Sequence, residues 1–279
     1  MDTAMNLNFD PSHYCSSPLS KDDGIWKLQG QTKVHYPNEG HLLNAQLEKD
    51  SYWFSHRTRC IMAALEYIPP NGPLFDLGGG NGIVSLALQA NGYQTILIEP
   101  SPTGVEIARD RGVTEIIRAP IQDIPFRANI LPNIGLFDVL EHIQNDFEFL
   151  KSVVSLLKPG GHIYLTVPGQ KFLWSDEDEW ACHFRRYEMN ELEELLVKTG
   201  FQINYLSPFF SFLVAPIYVF RHLPFSLGFK RKGNYEKDHR TNIVTQTLFS
   251  PIGIWELKRI QAGEVIPTGS SIMVIATKL

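Results

Sequence analysis

The residues best able to do chemistry stand in a glycine-rich run, Asp76-Leu77-Gly78-Gly79-Gly80-Asn81-Gly82, and in a carboxylate, Glu99, that closes the apolar run Ile96-Leu97-Ile98. Glycines suit a strand-to-helix turn that bends sharply and lets a ligand approach its backbone closely. A carboxylate at the end of the next strand accepts two hydrogen bonds from the vicinal hydroxyls of a ribose. Together they predict a nucleoside site beyond the carboxyl ends of a parallel sheet. The spacing excludes two commoner ligands. Counting from Gly78 and Gly80, the dinucleotide fingerprint needs a glycine where Ile83 stands, and no Gly-Lys-Ser/Thr follows for a Walker phosphate loop.

Further motifs follow in order: Ile124-Pro125-Phe126, then Leu136-Phe137-Asp138-Val139-Leu140-Glu141-His142, then Leu156-Leu157-Lys158-Pro159-Gly160-Gly161. With the glycine run and Glu99-Pro100-Ser101, they resemble the class I S-adenosylmethionine-dependent methyltransferases over roughly residues 70–206. The resemblance implies S-adenosyl-L-methionine as cofactor, with Asp76, Gly78, Gly79 and Gly80 toward its methionine end and Glu99 and Pro100 at the ribose. It places Phe137 beside the methionine moiety and Ile121, Gln122 and Asp123 around the adenine. Members often carry an acid four or five residues before the Pro-Phe pair, where this chain has Ala119 and Pro120. Adenine N6 is therefore left to the Ile121 backbone, Gln122 or Asp123, the last of which also reads as a loop cap. The runs Tyr52–Arg57, Leu173–Asp178 and His183–Tyr187 are similar to a subgroup found among sugar, lipid and secondary-metabolite genes. That subgroup implies a small-molecule acceptor without specifying it.

Methyl transfer from a sulfonium needs alignment above all, and a general base only where the acceptor holds its proton tightly. Two candidate bases stand out. His142 follows the fourth strand, although Glu141-His142 also reads as the start of the next helix. His183 lies in a cluster where Asp178 would orient it and Arg185 and Arg186 would meet an anionic acceptor; the same cluster reads equally as a loop held by Asp–Arg pairing. Trp174 and Tyr187 would wall a pocket or fill the core. Near the N-terminus, Tyr52, Trp53 and Phe54 followed by His56 and Arg57 suit a lid, with Arg57 meeting the cofactor carboxylate, or a helix face packed on the core. No spacing suggests a metal, and none is expected.

The elements that must position these residues alternate. Short apolar runs and helical periodicity predict a Rossmann-like α/β fold, a seven-stranded mostly parallel sheet with helices on both faces and an antiparallel last strand. Strands are expected at Pro73–Leu77, Tyr93–Ile98, Val113–Arg118, Ile130–Phe137, His162–Val167, Phe201–Leu206 and Ser270–Thr277, with a bulge or ragged start at Pro132. Asn190 with Glu193 predicts a capping box. The chain divides into an N-terminal helical extension or lid (1–69), the cofactor-binding core (70–206), an insertion or substrate lid (207–268) and a final strand (269–279). Tyr36–Gly40 reads as a turn.

Composition bounds the rest. Lys and Arg number 25 against 30 Asp and Glu, a net charge of −5, which argues against a broad nucleic-acid footprint. A nucleic-acid methyltransferase is further disfavoured because Phe137-Asp138-Val139-Leu140 stands where an Asn/Asp-Pro-Pro-Tyr/Phe motif would lie. A cofactor-binding regulatory protein without transfer activity remains the alternative from another class. Cys15, Cys60 and Cys182 are scattered, so free thiols and a cytoplasmic location are expected, and Met1–Asn6 has no signal-peptide character. The apolar stretch Leu206–Phe220 carries Pro208 and Pro216 and is short for a span; it leaves peripheral membrane contact open, while the basic run Lys230-Arg231-Lys232 fits no further βα unit. Oligomeric state is not legible.

Overall fold

The computed structural model describes residues 9–28, 41–42, 45, 47–48, 51–229 and 243–279, the side chains of 243–248 excepted. The Met1–Asn6 start, the Tyr36–Gly40 turn and the Lys230–Lys232 run lie outside the described residues. One sheet holds β1 (Ser20–Asp22), β2 (Ile25–Lys27), β3 (Leu74–Leu77), β4 (Thr95–Ile98), β5 (Ile116–Arg118), β6 (Leu131–Phe137), β7 (Leu157–Pro168), β8 (Phe201–Phe209) and β9 (Ser271–Lys278). Their order is β1-β2-β5-β4-β3-β6-β7-β9-β8.

Among the described residues the sheet thus has nine strands, not seven. The expected seven form its body, parallel from β5 to β7, with β9 antiparallel between β7 and β8. The two additions are a hairpin from the N-terminal stretch, which is therefore not purely helical. Asp23 and Gly24 form its turn at φ 49° and 79°, the double positive φ of a tight hairpin, and β2 then pairs with β5. The register of β6 on β7 slips between Leu131 and Asn133, at Pro132 as expected.

Side chains alternate between two buried faces, as a parallel sheet covered on both sides requires. Phe75, Leu77, Ile96, Ile134 and Leu165 meet Leu150 and Val153 of the 146–156 helix and Leu192 and Leu196 of the 189–199 helix. On the other face Leu74, Tyr164 and Ile275 meet Ile61 and Leu65 of the 52–67 helix and Val84 and Leu88 of the 83–90 helix. The capping box expected at Asn190 is absent: the helix starts at Met189, and Glu188 instead accepts from the Lys171 amide at 2.8 Å. A capping box does form at Ser175 and Asp178. Strand order reverses between β3 and β6, so the crevice at their carboxyl ends is where a ligand belongs.

Candidate functional site

The glycine turn stands at that crevice. Gly78, Gly80 and Gly82 all have positive φ (69°, 56° and 74°), which carries the chain from β3 into the 83–90 helix. A Cβ on Gly79 would stand 2.2 Å from Leu97 and 2.6 Å from Asp76, whereas one on Gly80 would point into open space. Gly79 is therefore a packing glycine, and Gly80 borders the cleft. Glu99 closes β4 with its carboxylate turned back to the turn: the Gly80 amide donates to Oε2 at 2.9 Å and the Ser101 amide to Oε1 at 2.8 Å. Burial raises the Glu99 carboxyl above its ordinary value, against those amides and the neighbouring His41. Each oxygen keeps a second lone pair for a further donor.

No motif or spacing signals the His41 contact that covers this pair. His41 Nδ1 donates to Asn81 Oδ1 at 3.0 Å, Asn81 Nδ2 donates to the His41 carbonyl at 2.9 Å, and His41 Nε2 lies 4.0 Å from Glu99. Arg111 ties the same segment down through Glu48 at 2.6 Å. Ile121, Gln122 and Asp123 form a 3-10 turn just after β5, the last two exposed. Pro100 is half-buried beside Glu99. The Phe137 ring is buried with Leu74, Ile61 and Tyr164.

At the end of β6, Asp138 (φ 57°) meets Arg57 at 3.1 Å, and the guanidinium lies 5.2 Å from the Trp53 ring. This ion pair is not aligned as a hydrogen bond, so Arg57 Nε and Asp138 Oδ2 keep no hydrogen-bond partner among the described residues. The same holds for Asp76 Oδ1 and Glu141 Oε2. Four unspent polar atoms at the carboxyl ends of β3 and β6, with open space before Gly80, fit a ligand carrying both cationic and anionic groups.

His142 and His183 come together as the sequence could not show, their rings 4.8 Å apart. His142 keeps an exposed edge, but packing around the rest of its ring, then the His183 charge, pushes it down to about 4. His183 Nδ1 donates to Asp178 Oδ1 at 3.0 Å, and Arg186 Nε donates to the same oxygen at 2.8 Å. Burial would raise Asp178, but these two partners outweigh it and hold the carboxyl below its usual range. Burial, then Asp138, drives the Glu141 carboxyl well above its ordinary value. Donor atoms of Glu141, His142 and His183 lie within 4.8 Å of one another, close enough to share a divalent ion.

The structure decides between paired readings here, in favour of Asp–Arg pairing and core packing, and corrects one. Arg185 and Arg186 are not open to an anionic acceptor, since Arg185 pairs with Asp146 at 2.6 Å and Arg186 with Asp178 and the Gly169 carbonyl. Tyr187 is core, its hydroxyl donating to Asp146 at 2.9 Å. Glu141-His142 ends a 3-10 turn and starts no helix; the 146–156 helix begins after Asn145, which caps it. A second group, His56, Cys60 and Glu256, is fully buried and has no local signal, because its members lie on two helices far apart in the chain.

Residues 49–206 match the methyltransferase-domain family, more than half of the chain. The chain belongs to this methyltransferase family. A ubiquinone biosynthesis O-methyltransferase of Xanthomonas axonopodis pv. citri is 28% identical over 116 residues, 39% of this methyltransferase and 48% of that relative. The chain spans about half the length of the curated relatives it matches. An S-adenosylmethionine-dependent methyltransferase of Thermotoga maritima, described as a possible histamine N-methyltransferase, shares the fold at TM-score 0.52 and 16% identity over 86% of this chain and 97% of its own. The [4+2]-cyclase SpnF shares it at TM-score 0.56 and 16% identity, over 86% and 93%. The same fold thus carries other chemistry, and the family match, not the fold, supports the activity. Among the described residues no helix is long and apolar enough to cross a membrane.

Asp76 gives this methyltransferase a pH signature. It is fully buried with the Ser85 hydroxyl donating to Oδ2 at 2.6 Å, and burial lifts it from 3.8 to about 6. The folded protein therefore holds this proton more tightly than the unfolded chain. The stabilisation is full below about pH 4 and is lost as pH rises through 6. Asp76→Asn keeps the Ser85 bond and removes the titration. Its stability relative to the parent is expected to improve by roughly 2–3 kcal/mol between pH 4 and pH 7. Urea unfolding of both proteins at the two pH values measures this, and a constant gap would refute it.

Proposed function

We propose that this methyltransferase transfers a methyl group to a hydroxyl oxygen of a small, largely apolar acceptor, with His183 as general base. The carrying observation is the Asp178 carboxylate held by both His183 and Arg186. Asp178 fixes the imidazole through Nδ1, leaving Nε2 to take a proton, and steadies the charge that develops there. His142, pushed to about 4, is too weak a base for that task and serves as a neutral neighbour. A hydroxyl needs such a base more than an already neutral amine does. The O-methyltransferase relatives are consistent with this choice.

Bound S-adenosylmethionine supplies the sulfonium methyl. Glu99 accepts from its ribose hydroxyls, the Gly78–Gly80 backbone borders its methionine end, and Ile121 to Asp123 flank its adenine. Arg57 meets its carboxylate, exchanging part of its contact with Asp138. The 207–268 insertion caps the acceptor side: His222 Nδ1 bonds the Trp174 carbonyl at 2.9 Å and Arg221 pairs with Glu177. Exposed Phe220, Leu227 and Phe229 on that insertion support an apolar acceptor. The residues 1–69, which add β1 and β2 to the sheet, supply the cover over Glu99 through His41. A net charge of −5 favours such an acceptor over nucleic acid, and a cytoplasmic setting belongs to the same reading.

The test is S-adenosylhomocysteine release from the purified chain with matched phenols, catechols, aliphatic alcohols and amines. Turnover is expected with hydroxyl acceptors and at least tenfold less with the corresponding amines. Preference for amines would overturn the oxygen assignment, and cofactor binding without turnover on any acceptor would restore the regulatory reading.

A further inference from the structure

Glu256 belongs to the 243–261 helix of the insertion, yet it is completely buried and all its bonds lead elsewhere. Its Oε1 accepts from the Ser211 amide and hydroxyl, each at 2.6 Å. Its Oε2 accepts from the Phe210 amide at 3.2 Å and from His56 Nε2 at 2.8 Å. One carboxylate therefore joins the 243–261 helix, the turn after β8 and the 52–67 helix. The turn needs holding, because Phe210 has φ 60°, a left-handed conformation that a bulky side chain rarely adopts.

From that turn a continuous set of contacts reaches the cleft. The Phe210 ring stacks on Trp53 at 5.6 Å with 5° between planes, and Trp53 lies under the Arg57 guanidinium at 5.2 Å. Arg57 in turn meets Asp138 at 3.1 Å at the end of β6. His56, bonded directly to Glu256, precedes Arg57 in the same helix and packs on Phe210 at 5.2 Å. Both routes from Glu256 end on Arg57.

We infer that Glu256 is a positioning residue that sets the Arg57 guanidinium at the methyl-donor site through the Phe210–Trp53 stack and through His56. It touches neither cofactor nor acceptor. The insertion that caps the acceptor side would then also tune the affinity for the methyl donor. This rests on the reading of Arg57 as the partner of the cofactor carboxylate.

The experiment is calorimetric titration of S-adenosylmethionine into the full chain and its Arg57→Ala, Glu256→Gln and Ser211→Ala variants, singly and in pairs, with melting temperatures alongside. Glu256→Gln is expected to raise Kd about five- to tenfold, the scale of coupling through packed contacts. In the Arg57→Ala background it should add less than twofold, since the guanidinium it positions is gone. A purely structural clamp lowers the melting temperature but leaves Kd unchanged, or multiplies its effect with Arg57→Ala; either result overturns the inference. Should Glu256→Gln fail to fold, Ser211→Ala, which removes one donor to the same carboxylate, decides the matter by the same non-additivity. Arg57→Ala with unchanged Kd removes the Arg57 reading and this inference together. A weakened Arg57→Ala with a silent Glu256→Gln removes only the inference.

Discussion

His183→Ala is expected to lower kcat on a hydroxyl acceptor by roughly 10²–10⁴-fold, the range that positioned proton transfer contributes. Affinity for S-adenosylmethionine should stay within about threefold, because the imidazole lies with Asp178 and His142 and not at the glycine turn. Asp178→Asn should give an intermediate loss: the ring remains, but its orienting carboxylate and the charge shared with Arg186 are gone. His142→Ala should matter less, since a group pushed to about 4 is a poor base at neutral pH. The discriminating measurement varies the acceptor. A phenol acidic enough to be ionised at the assay pH needs no base, so His183→Ala should recover most of its rate on it. An equal loss on ionised and neutral acceptors would mean that His183 shapes the pocket rather than taking a proton. An unchanged kcat on the neutral acceptor would remove it from the chemistry.

Much of the cofactor side was legible in the residues themselves. A left-handed turn demands glycine, and Glu99 closes the apolar run beside it, so Gly78–Gly82 and Glu99 announce themselves locally. The seven body strands were legible for the same reason, since alternation and apolar runs are local. The hairpin of β1 and β2 carried its own signal, Asp23-Gly24 between short runs, but strands of three residues have too little pattern to be read with assurance. What escaped was long-range. His41 over Asn81 and Glu256 against His56 join residues 40 and 200 positions apart, and no spacing rule reaches that far. The acceptor side failed differently. Arg185, Arg186 and Tyr187 have the residue types of a ligand pocket, yet each is committed to a protein partner, which only the fold can reveal.

Glu99→Ala is expected to weaken S-adenosylmethionine binding by roughly 1.5–3 kcal/mol, about ten- to 150-fold in Kd, the worth of charge-assisted hydrogen bonds. The loss has two sources, and they separate. Part arises in the protein, because the Gly80 and Ser101 amides lose their acceptor and the turn is less firmly set. The rest is the ribose itself, and only that part depends on the ligand's hydroxyls. Comparing adenosine with 2′-deoxyadenosine isolates it. The parent protein should prefer adenosine by about tenfold, a single charge-assisted bond, and Glu99→Ala should prefer it hardly at all. Weakening of both ligands by the same factor, with the preference intact, would leave Glu99 as a brace for the glycine turn and assign the ribose to another residue. Loss of the preference places the hydroxyls on this carboxylate. The two amide bonds then explain why Glu99 is preorganised: its oxygens are fixed before the ligand arrives, so little rotamer freedom is lost when they accept from it.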